Sequence, residues 1–339
     1  MNSRDPETAE RGYDHAAVHY TSDEELLAVA VPFLTAGIAA GEPTVVSLEP
    51  ERAELVRDAL PSSADTQFLT IDDVYVRPAS AIKSYRDLMA GLVADGATGI
   101  RIFGEIPPAA IDTSWDWWAR YEAAVNHAYD EFPLRSMCAY DTRTTPRQVL
   151  DDVARTHPYL ATPGGHHTNP GYVDPPAFLA APRPMTPFPI ERTAPLVDLT
   201  NPQPPAARRA VTDFNKTDLP AADIDDLVLA VSEIVDNALR HGRPPVRFRI
   251  WADADHMVVT VHDTGTGLSD PFAGLLPANR HIGGRGLWIT HQICSQVTLH
   301  RDDTGFTVRL TAGHPAPTTT STTTRAPHSC RATSADTRG

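Results

Sequence analysis

Apolar side chains recur at helical spacing in AADIDDLVLAVSEIV (221–235), at Ile224, Leu227, Val228, Val231, Ile234 and Val235. That period predicts a helix with one core-facing stripe; Glu233 and Asn237 lie on a separate face, which His241 continues. Two segments of strand character follow, VRFRIW (246–251) and MVVTVHD (257–263). A helical LWITHQICS comes next, then strands QVTLHR (296–301) and FTVRL (306–310). A helix over ARRAVTDFN opens this region near residue 206. The pattern predicts an α+β domain over 195–312, with a helix layer on a mixed or antiparallel sheet.

The first half alternates differently. Over 13–160, short apolar runs read as buried strands: TVVSL (44–48), TQFLTI (66–71), GIRIF (99–103) and RSMCAY (135–140). Helical stretches near 22–40, 51–60, 80–94, 115–131 and 146–156 separate or flank them. Such alternation favours an α/β domain, a parallel sheet with helices on both faces. Residues 161–194 are dense in Pro and Gly, which block helix propagation and ladder pairing, so they read as a linker. Residues 313–339, with PAPTTTSTTTRAP, read as a disordered tail.

Composition narrows the function classes. A chain of 339 residues with 41% hydrophobic content has material for two cores. A net charge of −14 argues against a nucleic-acid partner, since phosphate contacts need clustered Lys and Arg. The N-terminus is polar rather than a signal peptide, and the longest apolar run, LLAVAVPFLTAGIAA (26–40), is too short to span a membrane. Three widely spaced cysteines, Cys138, Cys294 and Cys330, indicate neither a disulfide framework nor a zinc site, which suggests reduced thiols in the cytoplasm.

Chemistry concentrates in three segments: EIVDNALRHG (233–242), DTGTG (263–267) and GGRGLW (283–288). Glu233 and Asn237 lie four apart and share a helix face. The glycines permit tight turns and close backbone approach, and the helix from Leu287 aims its positive end at the second turn. In this order and spacing the segments resemble the N, G1 and G2 boxes of the GHKL superfamily (gyrase, heat-shock chaperone, histidine kinase, MutL). Within it they are similar to the bacterial anti-sigma-factor serine/threonine kinases. The resemblance implies a Bergerat-type two-layer sandwich that binds ATP and Mg. It implies Glu233 as general base, Asn237 as magnesium ligand and Asp263 as acceptor for the adenine amino group. Gly265 and Gly267 would let the backbone approach the base, and Gly284, Arg285, Gly286 and Leu287 would face the phosphates. Residues 268–282, containing Pro271, Pro277, Asn279 and Arg280, would form the lid.

The first half resembles the MEDS sensory domain, a degenerate relative of RecA-type ATPases. The resemblance rests on HAAVHYTSDEELLAVAVPFLTAGIAAGE (15–42), FGEIPP (103–108), RYEAAVN (120–126), CAYD (138–141) and HPYL (157–160). Where a RecA-type protein carries a P-loop, this chain has TAGIAAGEPT, without the Gly-Lys-[Ser/Thr] ending, so no nucleotide is assigned there. Glu105, Trp115, Trp117, Trp118, Tyr121, Glu122, Cys138 and Tyr140 are either a cleft for a small-molecule ligand or core. His166 and His167 fall in a Pro/Gly loop, as solvated side chains or metal ligands.

Three readings of function stand. The first is an ATP-dependent kinase of the anti-sigma-factor type, acting on an antagonist protein and able to sequester a sigma factor under sensory control. The second is a non-catalytic, nucleotide-switched binding module. The third is a sensor histidine kinase working through a partner's phosphoacceptor domain, against which the proline-rich linker, in place of a dimerisation hairpin, argues.

Overall fold

A computed structural model describes residues 12–62, 65–277 and 285–313. Gly284, the expected lid beyond Pro277 with Asn279 and Arg280, and the tail after Gly313 lie outside the described residues.

The first domain runs β1 (Asp14–Tyr20), α1 (Asp23–Ala39), β2 (Thr44–Ser47), α2 (Pro50–Ala59), β3 (Thr66–Phe68), α3 (Ile71–Val74), α4 (Pro78–Ala94) and β4 (Ile100–Gly104). It continues through α5 (Pro108–Ala128), β5 (Leu134–Asp141), α6 (Arg147–Thr156), β6 (Tyr159–Thr162), β7 (Gly165–Thr168) and α7 (Pro175–Ala180). The sheet order is β3-β2-β4-β5-β1-β6-β7, parallel throughout except for β7, which returns antiparallel on β6. Each face has its own core, as a parallel sheet requires. Leu26, Phe33, Leu34 and Val56 of α1 and α2 cover one face. Ile82, Met89, Trp118 and Val125 of α4 and α5 cover the other.

Helix α1 starts where Ser22 accepts the Glu25 N–H at 3.3 Å while the Glu25 carboxylate returns to Thr21 N. Asp23, Glu24 and Glu25 place negative charge at its positive end. TAGIAAGEPT is the end of α1 and its turn into β2, not a phosphate loop. Gly37 leaves room there for Arg101, which pairs with Glu42 at 2.5 Å and donates to Phe33 O at 2.8 Å.

Two expectations change. The strand expected over 66–71 stops at Phe68, and Ile71 opens the short α3. The stretch read as a linker is built into both domains. Its hairpin extends the first sheet, so His166 and His167 sit on strand β7, with His166 Nε2 2.9 Å from Asp14. Phe178 and Leu179 of α7 are buried against α5. Arg183 binds Asp152 at 2.6 Å, and its carbonyl lies 2.9 Å from His300 Nδ1 in the second domain. Arg309 clasps Glu191 at 2.8 Å and lies 4.0 Å over the Phe188 ring.

The second domain comprises β8 (Val197–Thr200), α8 (Pro204–Asp213), α9 (Ala221–His241), β9 (Arg247–Ala252), β10 (His256–Asp263), α10 (Arg285–Ile293), β11 (Gln296–Asp302) and β12 (Gly305–Gly313). Its sheet is antiparallel, in the order β11-β12-β10-β9-β8. Of the apolar stripe on α9, Ile224, Leu227, Val231, Ile234 and Val235 are buried in one core with Phe248, Ile250, Val259 and Leu310 of the sheet. No helix among the described residues is long and apolar enough to cross a membrane.

Candidate functional site

Burying the apolar stripe of α9 leaves Glu233 and Asn237, one turn apart, on its half-buried flank. Neither side chain has a hydrogen bond or ion pair among the described residues. Helix α10 starts against that flank. A Cβ built on Gly286 would lie 2.2 Å from Glu233 Oε2, so only glycine lets the α10 backbone meet the carboxylate. Leu287 turns the other way, into the core beneath, and Arg285 is exposed.

Asp263 ends β10 and is buried at 5% exposure. Its Oδ1 accepts the backbone N–H of Gly265 at 2.7 Å and of Arg243 at 3.1 Å. The aspartate thereby ties the turn after β10 to the turn that closes α9. A Cβ on Gly265 would meet that same Oδ1 at 2.6 Å. Gly267 has φ +77°, where any other residue is strained. Asp263 Oδ2 accepts no hydrogen bond among the described residues and remains available to a donor.

The structure thus gathers Glu233, Gly286 and Leu287 at one junction and Asp263 with Gly265 at the β10 turn, with Asn237 a helical turn beyond Glu233. His241 is exposed at the end of α9.

Residues 198–312 match the family model of the histidine kinase-like ATPase domain. Residues 14–158 match MEDS, the methanogen/methylotroph, DcmR sensory domain. The chain joins a MEDS sensory domain to a histidine kinase-like ATPase domain. The NMR structure of the histidine kinase domain of the E. coli osmosensor EnvZ is similar at 19% identity, covering 41% of this chain and 97% of that one with a TM-score of 0.23. No curated protein matches the chain.

The ATPase domain implies ATP, and the residues present fit it. A free carboxylate oxygen on Asp263 suits an amino donor. The lack of a side chain at Gly265 and Gly286 allows backbone to come close to Asp263 and Glu233. The Asn237 amide oxygen, unpartnered among the described residues, is a hard ligand of the kind magnesium takes beside phosphates. Bound magnesium would neutralise phosphate charge; the protein's part is to hold the nucleotide and orient the attacking group.

The ATPase domain is docked on the MEDS domain through the elements that border this site. Arg77, at the start of α4, donates to Cys294 O at 2.8 Å and to Ile293 O at 3.3 Å, placing a cation on the last carbonyls of α10. Ser80 Oγ donates to Gln292 Oε1 at 2.9 Å, and Trp117 Nε1 to His291 Nδ1 at 3.4 Å. In the expected lid, Phe272 stacks on His127 of α5 with ring centroids 4.6 Å apart. Leu275 is buried within the MEDS core. Sequence reasoning missed this interface because its partners lie more than a hundred residues apart and carry no shared motif.

The first-domain side chains considered for a ligand cleft are all buried or half-buried. Trp115, Trp118, Tyr121 and Tyr140 belong to the core. Glu105 is held by Arg52 at 2.9 Å and by Glu49 N–H at 2.7 Å. Burial raises the Glu105 pKa, against the pull of that guanidinium.

Proposed function

We propose that this chain is an ATP-dependent serine/threonine protein kinase of the anti-sigma-factor type. Its substrate is a serine or threonine on a small antagonist protein. The same ATPase domain also binds and sequesters a sigma factor, and the MEDS domain sets its state. The observation that carries the proposal is the meeting of the Glu233 carboxylate, unpaired among the described residues, with the backbone at Gly286. A carboxylate without an ion pair, beside the start of a helix whose amides face phosphate, is suited to take a proton from an attacking hydroxyl. Asn237 then holds magnesium, and Asp263 receives the adenine amino group. Control by the first domain is supported by the docking of α10 and of the Phe272 segment on α4 and α5.

The alternative of a histidine kinase is disfavoured by the segment before the ATPase domain. Between β6 and β8 it contains a hairpin strand, the six-residue α7 and one 3-10 turn at Pro189–Arg192. These cannot present a phosphoacceptor helix hairpin.

The test is phosphoryl transfer from ATP to the cognate antagonist. Wild-type protein should give acid-stable phosphoserine or phosphothreonine. Glu233→Gln should retain ATP affinity and lose transfer by roughly 10²–10⁴-fold, because the amide keeps shape but takes no proton. Wild-type protein that binds ATP and the antagonist yet transfers no phosphate would favour the nucleotide-switched binding module instead.

A further inference from the structure

Four side chains with no local spacing in common meet inside the MEDS domain. His15 comes from β1, Cys138 from β5, Glu122 from α5 and His157 from the residue after α6. Strands β1 and β5 are adjacent, with His15 opposite Ser136, so alternation puts His15 and Cys138 on the same face. Glu122 descends onto that face from the helix packed over it. One ligand-capable atom from each of the four lies within 4.8 Å of the others.

Three of the six donor separations already match the edges of a tetrahedral ion. His15 Nε2 is 3.3 Å from Cys138 Sγ and 3.4 Å from Glu122 Oε2, and His157 Nε2 is 3.5 Å from the same oxygen. Bonds of about 2.0 Å to nitrogen and oxygen and about 2.3 Å to sulfur give tetrahedral edges of about 3.3–3.5 Å for a set with one sulfur. The outer contacts aim the donors inward. His15 Nδ1 faces Asn126 Oδ1 at 3.1 Å, and His157 Nδ1 faces Val153 O at 3.0 Å. Both Nδ1 atoms meet an acceptor and so carry the proton, which leaves each Nε2 with its lone pair toward the cluster. Tyr140 donates to Glu122 Oε1 at 2.7 Å, leaving Oε2 for the centre.

Two further observations point to a missing occupant. Glu122 Oε2 and His157 Nε2 are buried without any hydrogen-bond partner. The residues that carry them are 1% and 0% exposed, so bulk solvent does not reach them. An unsatisfied buried polar atom is costly, and two facing one point are costlier. A divalent cation removes the cost. With one thiolate and one carboxylate it makes an electrically neutral centre, the charge state that an apolar core tolerates. Two imidazoles, a thiolate and a carboxylate form a borderline donor set that suits zinc rather than magnesium or calcium.

We propose that the MEDS domain holds a zinc ion between His15, Glu122, Cys138 and His157. Four protein ligands fill the coordination sphere and leave no open position, so the ion orders the domain rather than performing hydrolysis. The Cys138 thiol gives its proton to solvent as the ion enters.

The test uses the full chain, stripped with chelator and titrated with Co²⁺ and then with Zn²⁺. One cobalt per chain should give the visible bands of a tetrahedral site and a near-ultraviolet thiolate charge-transfer band. Zinc should displace both. Cys138→Ser should abolish the charge-transfer band and weaken zinc binding by at least about tenfold. Cys294→Ser should leave both unchanged. If Cys138→Ser does not fold, the wild-type chain still decides. Zinc should slow alkylation of Cys138, located by peptide mapping, without changing that of Cys330. No charge-transfer band, a band that survives Cys138→Ser, or Cys138 alkylation indifferent to zinc would overturn the proposal in favour of a metal-free polar cluster.

Discussion

Each domain carries a glutamate on the long helix that packs against its sheet, and the two glutamates meet opposite fates. Glu122 of α5 is 1% exposed and locked between Tyr140, His15 and His157. Glu233 of α9 is half-buried, unpaired among the described residues, and lies against the α10 backbone at Gly286. The difference separates two kinds of polar site. One is closed off from solvent inside a core, so its chemistry is spent on holding structure. The other is left open where two elements meet, so its chemistry waits for a ligand. Helix α5 belongs to both settings, because Trp117 and His127 on the same helix contact α10 and the Phe272 segment.

The comparison breaks most visibly under the same substitution in the two places. Glu122→Ala leaves buried polar groups without their partner and should cost about 3–5 kcal/mol of stability. Glu233→Ala removes no pairing and should shift stability by less than about 1 kcal/mol. Urea denaturation of both variants measures this. Equal losses would erase the distinction between closed and open sites.

Gly286→Ala sharpens the open side. The new methyl group would strike the tip of the Glu233 side chain, which can swing aside at little cost in stability. Phosphoryl transfer should nevertheless fall about 10²-fold, because the carboxylate leaves its place. A variant as active as wild type would show that the contact between Glu233 and Gly286 is incidental.

The docked interface gives a smaller effect. Burial in the interface, and next the nearby Arg120 charge, lower His291 from 6.5 to about 3. The folded state therefore refuses a proton that the unfolded chain accepts. His291's contribution is complete above about pH 6.5 and is lost as pH falls from there toward 3. The loss at pH 5.5 should be about 1.4 kcal/mol relative to His291→Phe, which has no proton to take up. Thermal melts of both proteins across that window check the sign. Identical pH profiles would contradict it.

The ATPase domain was largely legible because its signals are local. The stripe from Ile224 to Val235 specifies one helix face, and the first glycine turn directly follows the apolar strand MVVTVHD. Glu233, Asp263 and Gly286 could be located from those segments alone, although their roles rest on chemistry still to be tested. The MEDS domain was legible only in outline. Strand β1, DHAAVHY, gives no clear strand signal because His15 and His19 interrupt its apolar run. His15 is nevertheless buried, since Glu122, Asn126 and Cys138 provide partners from distant segments. The hairpin of β6 and β7 was hidden by Pro and Gly, which mark its turns and flanks rather than a free linker. The buried four-residue cluster has no sequence signature, since the fold alone brings positions 15, 122, 138 and 157 together.

The central claim is that the open junction of α9, β10 and α10 is a nucleotide site, and calorimetric titration of the full chain with ATP and magnesium tests it most directly. The account predicts one ATP per chain, binding that depends on magnesium, and a loss of roughly 10–100-fold in affinity for Asp263→Asn, the effect of spoiling one hydrogen bond to a charged acceptor. Absence of binding, or equal affinity in the wild type and Asp263→Asn, would contradict it.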